Sequence, residues 1–191
     1  MKVAIFAASS SKVDHEYFRV ASNLGRFFAK AGFTAVFGGG GIGLMGSLAD
    51  AMLSDNGKII GVIPRFMMDE GWGHPGITEM IITDTMSERK NRIFELTDAV
   101  VALPGGMGTL EELTEAITLK QLGLWHGQII LLNTKGYYDN LCRFFETMVN
   151  ENFMRHEHKT IWRVADTPEE TMSLLEKSDP KDKEWRKIAR I

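Results

Sequence analysis

Apolar positions along this chain come in two rhythms. Short, nearly continuous apolar bursts at Val3 to Ala7, Thr34 to Phe37, Lys58 to Ile63, Glu79 to Thr83, Asp98 to Leu103 and Gln128 to Leu132 predict strands, the most apolar of them covered on both faces of a sheet. Between the bursts, apolar residues return every three or four positions, which predicts helices over Glu16 to Lys30, Leu44 to Ser54, Ser87 to Thr97 and Leu110 to Leu122. A long loop separates Ile63 from Glu79, and a helix-rich tail follows Tyr138. Strands that alternate with helices of about three turns read as βαβ units. The expected architecture is therefore α/β, a Rossmann-like parallel sheet with helices on both faces. Glycine and proline punctuate the elements without a linker, repeat or low-complexity stretch, so residues 1–191 are expected to form a single nucleotide-binding domain with a peripheral tail from about 155 to 191.

Composition narrows the class. A chain of 191 residues, 44% hydrophobic and 25% charged, can bury a sizeable core. A net charge of -3 with dispersed basic residues argues against a general nucleic-acid binder. The one cysteine, Cys142, excludes an intrachain disulfide framework and a thiolate pair for a metal, and the amphipathic stretch around it, Tyr138 to Asn150, makes it a core residue by expectation. The apolar start, Met1 to Ala7, is shorter than a secretory signal or a membrane span, so a cytoplasmic location without a membrane partner is expected. His156-Glu157-His158 would need a third ligand from elsewhere to hold a metal and reads as a solvated turn; His15, His74 and His126 stand singly.

The chemistry concentrates where the burst ending at Leu103 breaks into Pro104-Gly105-Gly106-Met107-Gly108-Thr109-Leu110-Glu111-Glu112. Ligands in parallel α/β sheets bind at the carboxyl ends of strands. Gly105, Gly106 and Gly108 lack side chains that would block a close approach, so their backbone N–H groups, with the positive end of the helix that follows, can hold a phosphate. Thr109 stands where a cap would, and Glu112 is placed to meet the neighbouring part of the same ligand. The alternative is architectural: Thr109 and Glu112 also spell a capping box, and carboxylates in a first turn are favourable in any helix.

Upstream, Met86-Ser87-Glu88-Arg89-Lys90-Asn91-Arg92 opens another predicted helix with Arg89, Lys90 and Arg92 in or near its first turn. Cations are disfavoured at that end of a helix dipole, and a bound phosphate would compensate them; the alternative is a salt bridge from Arg89 to Glu88 or Glu95 on a solvated face. A second glycine cluster, Gly38 to Gly46, contains a literal G-x-G-x-x-G, but it follows the second strand and lacks the acidic residue expected roughly 20 positions on, which argues against a dinucleotide. Gly39, Gly40 and Gly43, with Ser9 after the first strand, are read instead as a second wall of a mononucleotide site; the alternative is close strand–helix packing.

These residues carry a family resemblance. Pro-Gly-Gly-x-Gly-Thr-x-x-Glu is met in full from Pro104 to Glu112, Arg89-Lys90 precedes it at the expected distance, and Phe37-Gly38-Gly39-Gly40, Gly43-Leu44-Met45-Gly46, Gly61-Val62-Ile63-Pro64, Gln121-Leu122-Gly123 and the stretch from Leu132-Asn133 to Gly136-Tyr137-Tyr138 match as well. The chain resembles the LONELY GUY (LOG) family, cytokinin riboside 5'-monophosphate phosphoribohydrolases often labelled "lysine decarboxylase". The resemblance implies Arg89 and Glu112 as the catalytic pair and Lys90, Gly106, Met107, Gly108, Thr109 and Thr118 along the nucleotide, with Gly105, Leu110 and Glu111 in the same motif counted as substrate-binding. Glu70, in the loop after Pro64, would take the place of a ligand-contacting glutamate. Departures from the family pattern fall at Ser87, Met107 and Ala8-Ser9-Ser10.

The implied function is hydrolysis of the N-glycosidic bond of a purine 5'-monophosphate, AMP or an N6-substituted adenosine monophosphate, to free base and ribose 5-phosphate. No metal and no organic cofactor is expected. A non-catalytic carrier of a phosphorylated nucleotide or cofactor would need the glycine loops but not the glutamate. A pyridoxal-phosphate decarboxylase would need a Schiff-base lysine, for which Lys90 and Lys120 are the candidates. A homodimer is expected, because the family is typically dimeric and because Leu110, Leu113, Ile117, Leu119, Leu122, Leu124 and Trp125 carry more apolar surface than one sheet face needs. The tail from Lys177 to Arg190, with Trp185, reads as a surface helix for a partner subunit. Of the eleven methionines, Met67, Met68 and Met80 lie near the long loop, where thioethers can pack against an adenine or fill gaps in the core.

Overall fold

In the computed structural model, which describes residues 1–177, the apolar bursts pair into one parallel sheet of seven strands. The strands are β1 (Lys2–Phe6), β2 (Thr34–Phe37), β3 (Lys58–Pro64), β4 (Glu79–Thr83), β5 (Ala99–Ala102), β6 (Gln128–Leu132) and β7 (Trp162–Ala165), in the order β4-β3-β2-β1-β5-β6-β7. The helices are α1 (His15–Lys30), α2 (Gly43–Ser54), α3 (Arg65–Asp69), α4 (Met86–Leu96), α5 (Met107–Gln121), α6 (Asp139–Asn150) and α7 (Pro168–Leu175). The Rossmann-like α/β architecture predicted from the sequence is the one observed.

The sheet separates two apolar cores. Val3, Ile5, Phe37 and Val101 face one side, covered by α1, α2 and α7; Ala4, Phe6, Val36, Val100 and Leu131 face the other, covered by α4, α5 and α6. The central strands are buried along their whole length, which accounts for their unbroken apolar runs. Helix α1 is capped by the Asp14 side chain, which accepts from the Glu16 N–H, and α1 lies so close to α2 that a Cβ on Gly25 would stand 2.6 Å from the Leu48 carbonyl oxygen.

Three elements differ from the sequence-based expectation. The loop after Pro64 begins with the short helix α3, whose five residues include none that is buried and so present no apolar period to detect. Strand β7 pairs with β6 inside the stretch expected to be peripheral, and its last residue, Ala165, lies in the core, as does Leu175 beyond the strand. Its sequence, Trp162-Arg163-Val164-Ala165, mixes exposure classes as an edge strand does. Helix α5 starts at Met107 rather than Leu110, with Gly106 as its N-cap and no side-chain cap. Apart from Lys177, the tail read as a surface helix lies outside the described residues.

Local expectations were also redistributed. His158 turns inward and is buried rather than solvated, and burial lowers its pKa. Cys142 is half-buried against the core, which raises its thiol pKa. Leu113, Ile117 and Trp125 of the presumed apolar surplus are buried within the chain, leaving Leu122 and Leu124 exposed. No helix among the described residues is long and apolar enough to cross a membrane.

Candidate active site

Strand order places β1 between β2 and β5, so the chain leaves β1 toward one half of the sheet and returns to β5 to build the other. The crevice at the carboxyl ends of such a pair is where parallel α/β sheets take ligands. Hydrogen bonds fasten the two exit loops to each other: the Ala8 N–H donates to the Pro104 carbonyl and the Leu103 N–H to the Phe6 carbonyl. Above them opens a cavity of about 560 Å³, within the ~300–1,000 Å³ typical of small-molecule sites.

One wall is the start of α5. The first N–H groups of a helix have no intrahelical acceptor, and here no side chain substitutes for one. Gly106, Met107, Gly108 and Thr109 all line the cavity. Gly106 and Gly108 have no left-handed backbone angle, and a Cβ added to either would meet nothing within 4 Å. The fold therefore does not require glycine at these positions, whereas an anion resting on the helix start would. Gly105 differs, because its Cβ would collide with the Thr109 side chain that folds back over it. Two tyrosines brace this turn from outside: the Tyr137 hydroxyl donates to the Gly105 carbonyl and the Tyr138 hydroxyl to the Leu103 carbonyl, both at 2.6 Å.

The start of α2 is occupied in the way that α5 is not. The N–H groups of Leu44 and Met45 both point to the Ala8 carbonyl, at 2.9 and 3.5 Å, and Gly43 has a φ of 73° against the Ala8–Ser9 backbone. Gly43 and Gly46 thus serve close packing, the architectural alternative for this cluster, while Gly40 and Gly41 with Ser9 form cavity wall. Gly39 sits behind the wall with a φ of 78°. Gly38 makes room for Arg89, since a Cβ there would overlap the guanidinium.

At the floor of the cavity Arg89 and Glu112 meet, with Nη1 2.9 Å from Oε1 and each residue only 8% exposed. Arg89 also donates from Nε to the Val62 carbonyl at 3.1 Å, so its guanidinium is held from two sides. Burial pushes the Glu112 carboxyl above the usual carboxylate range, with the charge and hydrogen bond of Arg89 acting in the opposite direction. Neither alternative from the sequence applies at this pair. Thr109 is the third residue of α5, not its cap, and Glu112 faces Arg89 rather than the backbone. Glu95 pairs with Arg92, and Glu88 belongs to the cap of α4, where Thr85 accepts from the Glu88 N–H and Glu88 accepts from the Asp84 N–H.

The remaining sequence candidates lie elsewhere. Lys90, Glu111 and Thr118 line a shallow hollow on the outer side of α4 and α5, where Lys90 pairs with Glu111 and Glu115, and these carboxylates raise the lysine pKa. Leu110 is half-buried beside the cavity, and Glu70 is exposed at the end of α3. Lys120 is buried, with Nζ 3.0 Å from the Gly127 carbonyl, and no lysine is among the described residues that line the cavity. That removes the two candidates for a Schiff base from the pocket.

Of the apolar half of the cavity, formed by Met45, Ile63, Met67, Trp72 and Met86, sequence reasoning singled out Met67 alone, as a thioether able to pack against an adenine or fill the core. The signal available was the concentration of methionine and tryptophan in and around a loop that the pattern left unstructured.

Comparison with known proteins identifies relatives of the whole chain. A family model described as "Possible lysine decarboxylase" matches residues 45–175. The probable cytokinin riboside 5'-monophosphate phosphoribohydrolase LOGL2 of Oryza sativa subsp. japonica is 36% identical over 179 residues, covering 94% of this chain and 73% of the relative. The cytokinin riboside 5'-monophosphate phosphoribohydrolase LOG5 of Arabidopsis thaliana is likewise 36% identical over 179 residues, covering 94% and 78%. Among solved structures, TM1055 aligns with a TM-score of 0.72 at 25% identity, covering 92% of this chain and 98% of that one. The molybdenum cofactor carrier protein of Chlamydomonas reinhardtii aligns with a TM-score of 0.70 at 20% identity, covering 91% and 94%, a likeness of fold.

Proposed function

The chain belongs to the LONELY GUY family of cytokinin riboside 5'-monophosphate phosphoribohydrolases, and from that premise we propose that it hydrolyses the N-glycosidic bond of a purine nucleoside 5'-monophosphate. The products are the free base and ribose 5-phosphate. The observation that carries this reading is the buried Arg89–Glu112 pair at the floor of a cavity whose side wall is an uncapped helix start.

The 5'-phosphate rests on the N–H groups at the start of α5, where the helix dipole favours an anion. Glu112 lies one turn further along the same helix, facing the ribose. As the bond from C1' to the base nitrogen breaks, its electron pair leaves with the base and positive charge develops on the ribosyl ring. The Glu112 carboxylate opposes that charge from a site shielded from water, where a fixed charge acts more strongly than in solution. Water then bonds to C1', and over the whole reaction one of its protons replaces the sugar on the base. Arg89 keeps Glu112 oriented and ionised; its guanidinium stays protonated, so its part is electrostatic rather than that of a general acid. The resemblance implies Lys90, Glu111 and Thr118 as further substrate contacts, but their hollow lies across α5 from the cavity and they take no part in this mechanism.

Incubation with AMP, isopentenyl-AMP, GMP and CMP, with detection of free base, tests the reading: adenine or its N6-substituted form should appear. Absence of base from all four contradicts it.

A homodimer belongs to the same proposal. Leu122 and Leu124, exposed by 49% and 63% at the end of α5, supply the apolar surface that supports it. Light scattering should report a particle of twice 21.4 kDa at micromolar concentration, and a particle of 21.4 kDa contradicts the dimer.

A further inference from the structure

The cavity lining is chemically mixed: the α5 start, Arg89 and Glu112 are polar, whereas Met67 of α3 and Trp72 of the loop after it are apolar. Resting on the phosphoribohydrolase reading, phosphate and ribose take the polar groups and leave the base to the apolar ones. We infer that Trp72 is the residue that stacks on the base, held ready by a strap from Gly71 to His74.

The strap is built into the fold. Gly71 turns the chain after α3 with a φ of 75°. From there the backbone runs antiparallel to the glycine loop after β2: the Gly41 N–H donates to the Trp72 carbonyl at 3.1 Å, and the His74 N–H donates to the Gly39 carbonyl at 2.8 Å. The Trp72 N–H bonds back to the Met67 carbonyl. The imidazole of His74 anchors the far end. Its Nδ1 accepts from the Gly76 N–H, which leaves Nε2 to carry the hydrogen and donate to Asp50 on α2 at 3.0 Å. The backbone at Trp72 is therefore fixed to the glycine loop that itself forms part of the cavity wall.

The side chain itself is not satisfied by this packing. The indole lines the cavity yet remains 52% exposed, while the backbone on both sides of it is hydrogen-bonded. A flat aromatic face beside a pocket, on a rigid backbone, is the arrangement on which nucleobases stack. Behind the strap, the thioethers of Met68 and Met80 press on Gly73, Gly39 and Gly61, positions where even a Cβ would collide with sulfur or touch it.

The test uses Glu112→Gln protein, in which turnover is suppressed, with AMP and ribose 5-phosphate as the two probes. Affinities are measured by calorimetry, and tryptophan emission is compared with that of the same protein carrying Trp72→Phe, which isolates one of the four tryptophans. AMP should quench an emission component that Trp72→Phe lacks, and ribose 5-phosphate should not. Trp72→Ala should weaken AMP at least tenfold and Trp72→Phe far less, with ribose 5-phosphate bound equally by all three. Undiminished AMP affinity in Trp72→Ala overturns the inference, as does an equal loss for ribose 5-phosphate, which would mean that the strap had collapsed. Failure of both probes to bind the parent protein overturns the phosphoribohydrolase reading instead.

Discussion

Glu112 shows what one residue's surroundings decide. In the sequence it fits a capping box as well as a catalytic carboxylate, because both readings need only a glutamate three positions after a threonine. Tertiary structure separates them by bringing Arg89 from another helix to 2.9 Å. A glutamine at this position keeps an oxygen to accept from Arg89 but loses the charge. Glu112→Gln should therefore fold with a cooperative melt while base release falls by about 100-fold or more, the loss typical of removing one electrostatic stabiliser; wild-type turnover in this variant contradicts the assignment. The pH dependence has a definite sign. In the proposed mechanism Glu112 works ionised, and burial raises its pKa, so activity should fall as pH drops through a value above the usual carboxylate range. Arg89 pulls that pKa down, so in Arg89→Met the residual activity should lose its acid limb at a higher pH still. Profiles of kcat/KM for the two proteins check the order, and an acid limb at the ordinary carboxylate position in the wild type contradicts it.

At the level of elements, the strands at the centre of the sheet were legible because burial on both faces leaves no polar position in them, as in Ala99–Ala102. Strand β7 and helix α3 were not, since an edge strand and a five-residue helix bury too little to impose a period. The start of α5 was misplaced by three residues because glycine rather than a hydroxyl side chain sits at its cap, and that vacancy is the feature that suits an anion. Two glycines of the same turn should respond in opposite ways. Gly105→Ala forces its Cβ into Thr109 and should lower the melting temperature, as overpacking by a methyl typically costs about 1–3 kcal/mol. Gly108→Ala adds a methyl in open space inside a helix, where alanine is favoured by roughly 1 kcal/mol, so stability should hold or rise. Its KM for the nucleotide should nonetheless increase at least tenfold. An unchanged KM places the phosphate elsewhere.

Across the whole molecule, the candidate site follows from where the sheet reverses its strand order. The loops after β1, β2 and β5 and the end of β3 converge there, so residues from Ser9 to Glu112 meet in one cavity. The polar half of that cavity was readable from the motif, because glycines and paired charges at fixed spacing carry their chemistry in sequence. The apolar half was not, because Met45, Ile63 and Trp72 become neighbours only through the parallel order of β2 and β3 and the bridge between Gly40 and Gly73. In the proposed mechanism, binding energy from the 5'-phosphate holds the ribose against Glu112. If so, removing the phosphate should reduce turnover as well as affinity. The direct measurement is kcat/KM for AMP against adenosine, and for isopentenyl-AMP against its nucleoside, by release of free base. The monophosphates should be hydrolysed and the nucleosides should show a loss of at least 100-fold, with kcat reduced as well as KM raised. Comparable turnover of AMP and adenosine would contradict the phosphate cradle at the start of α5 and the mechanism built on it.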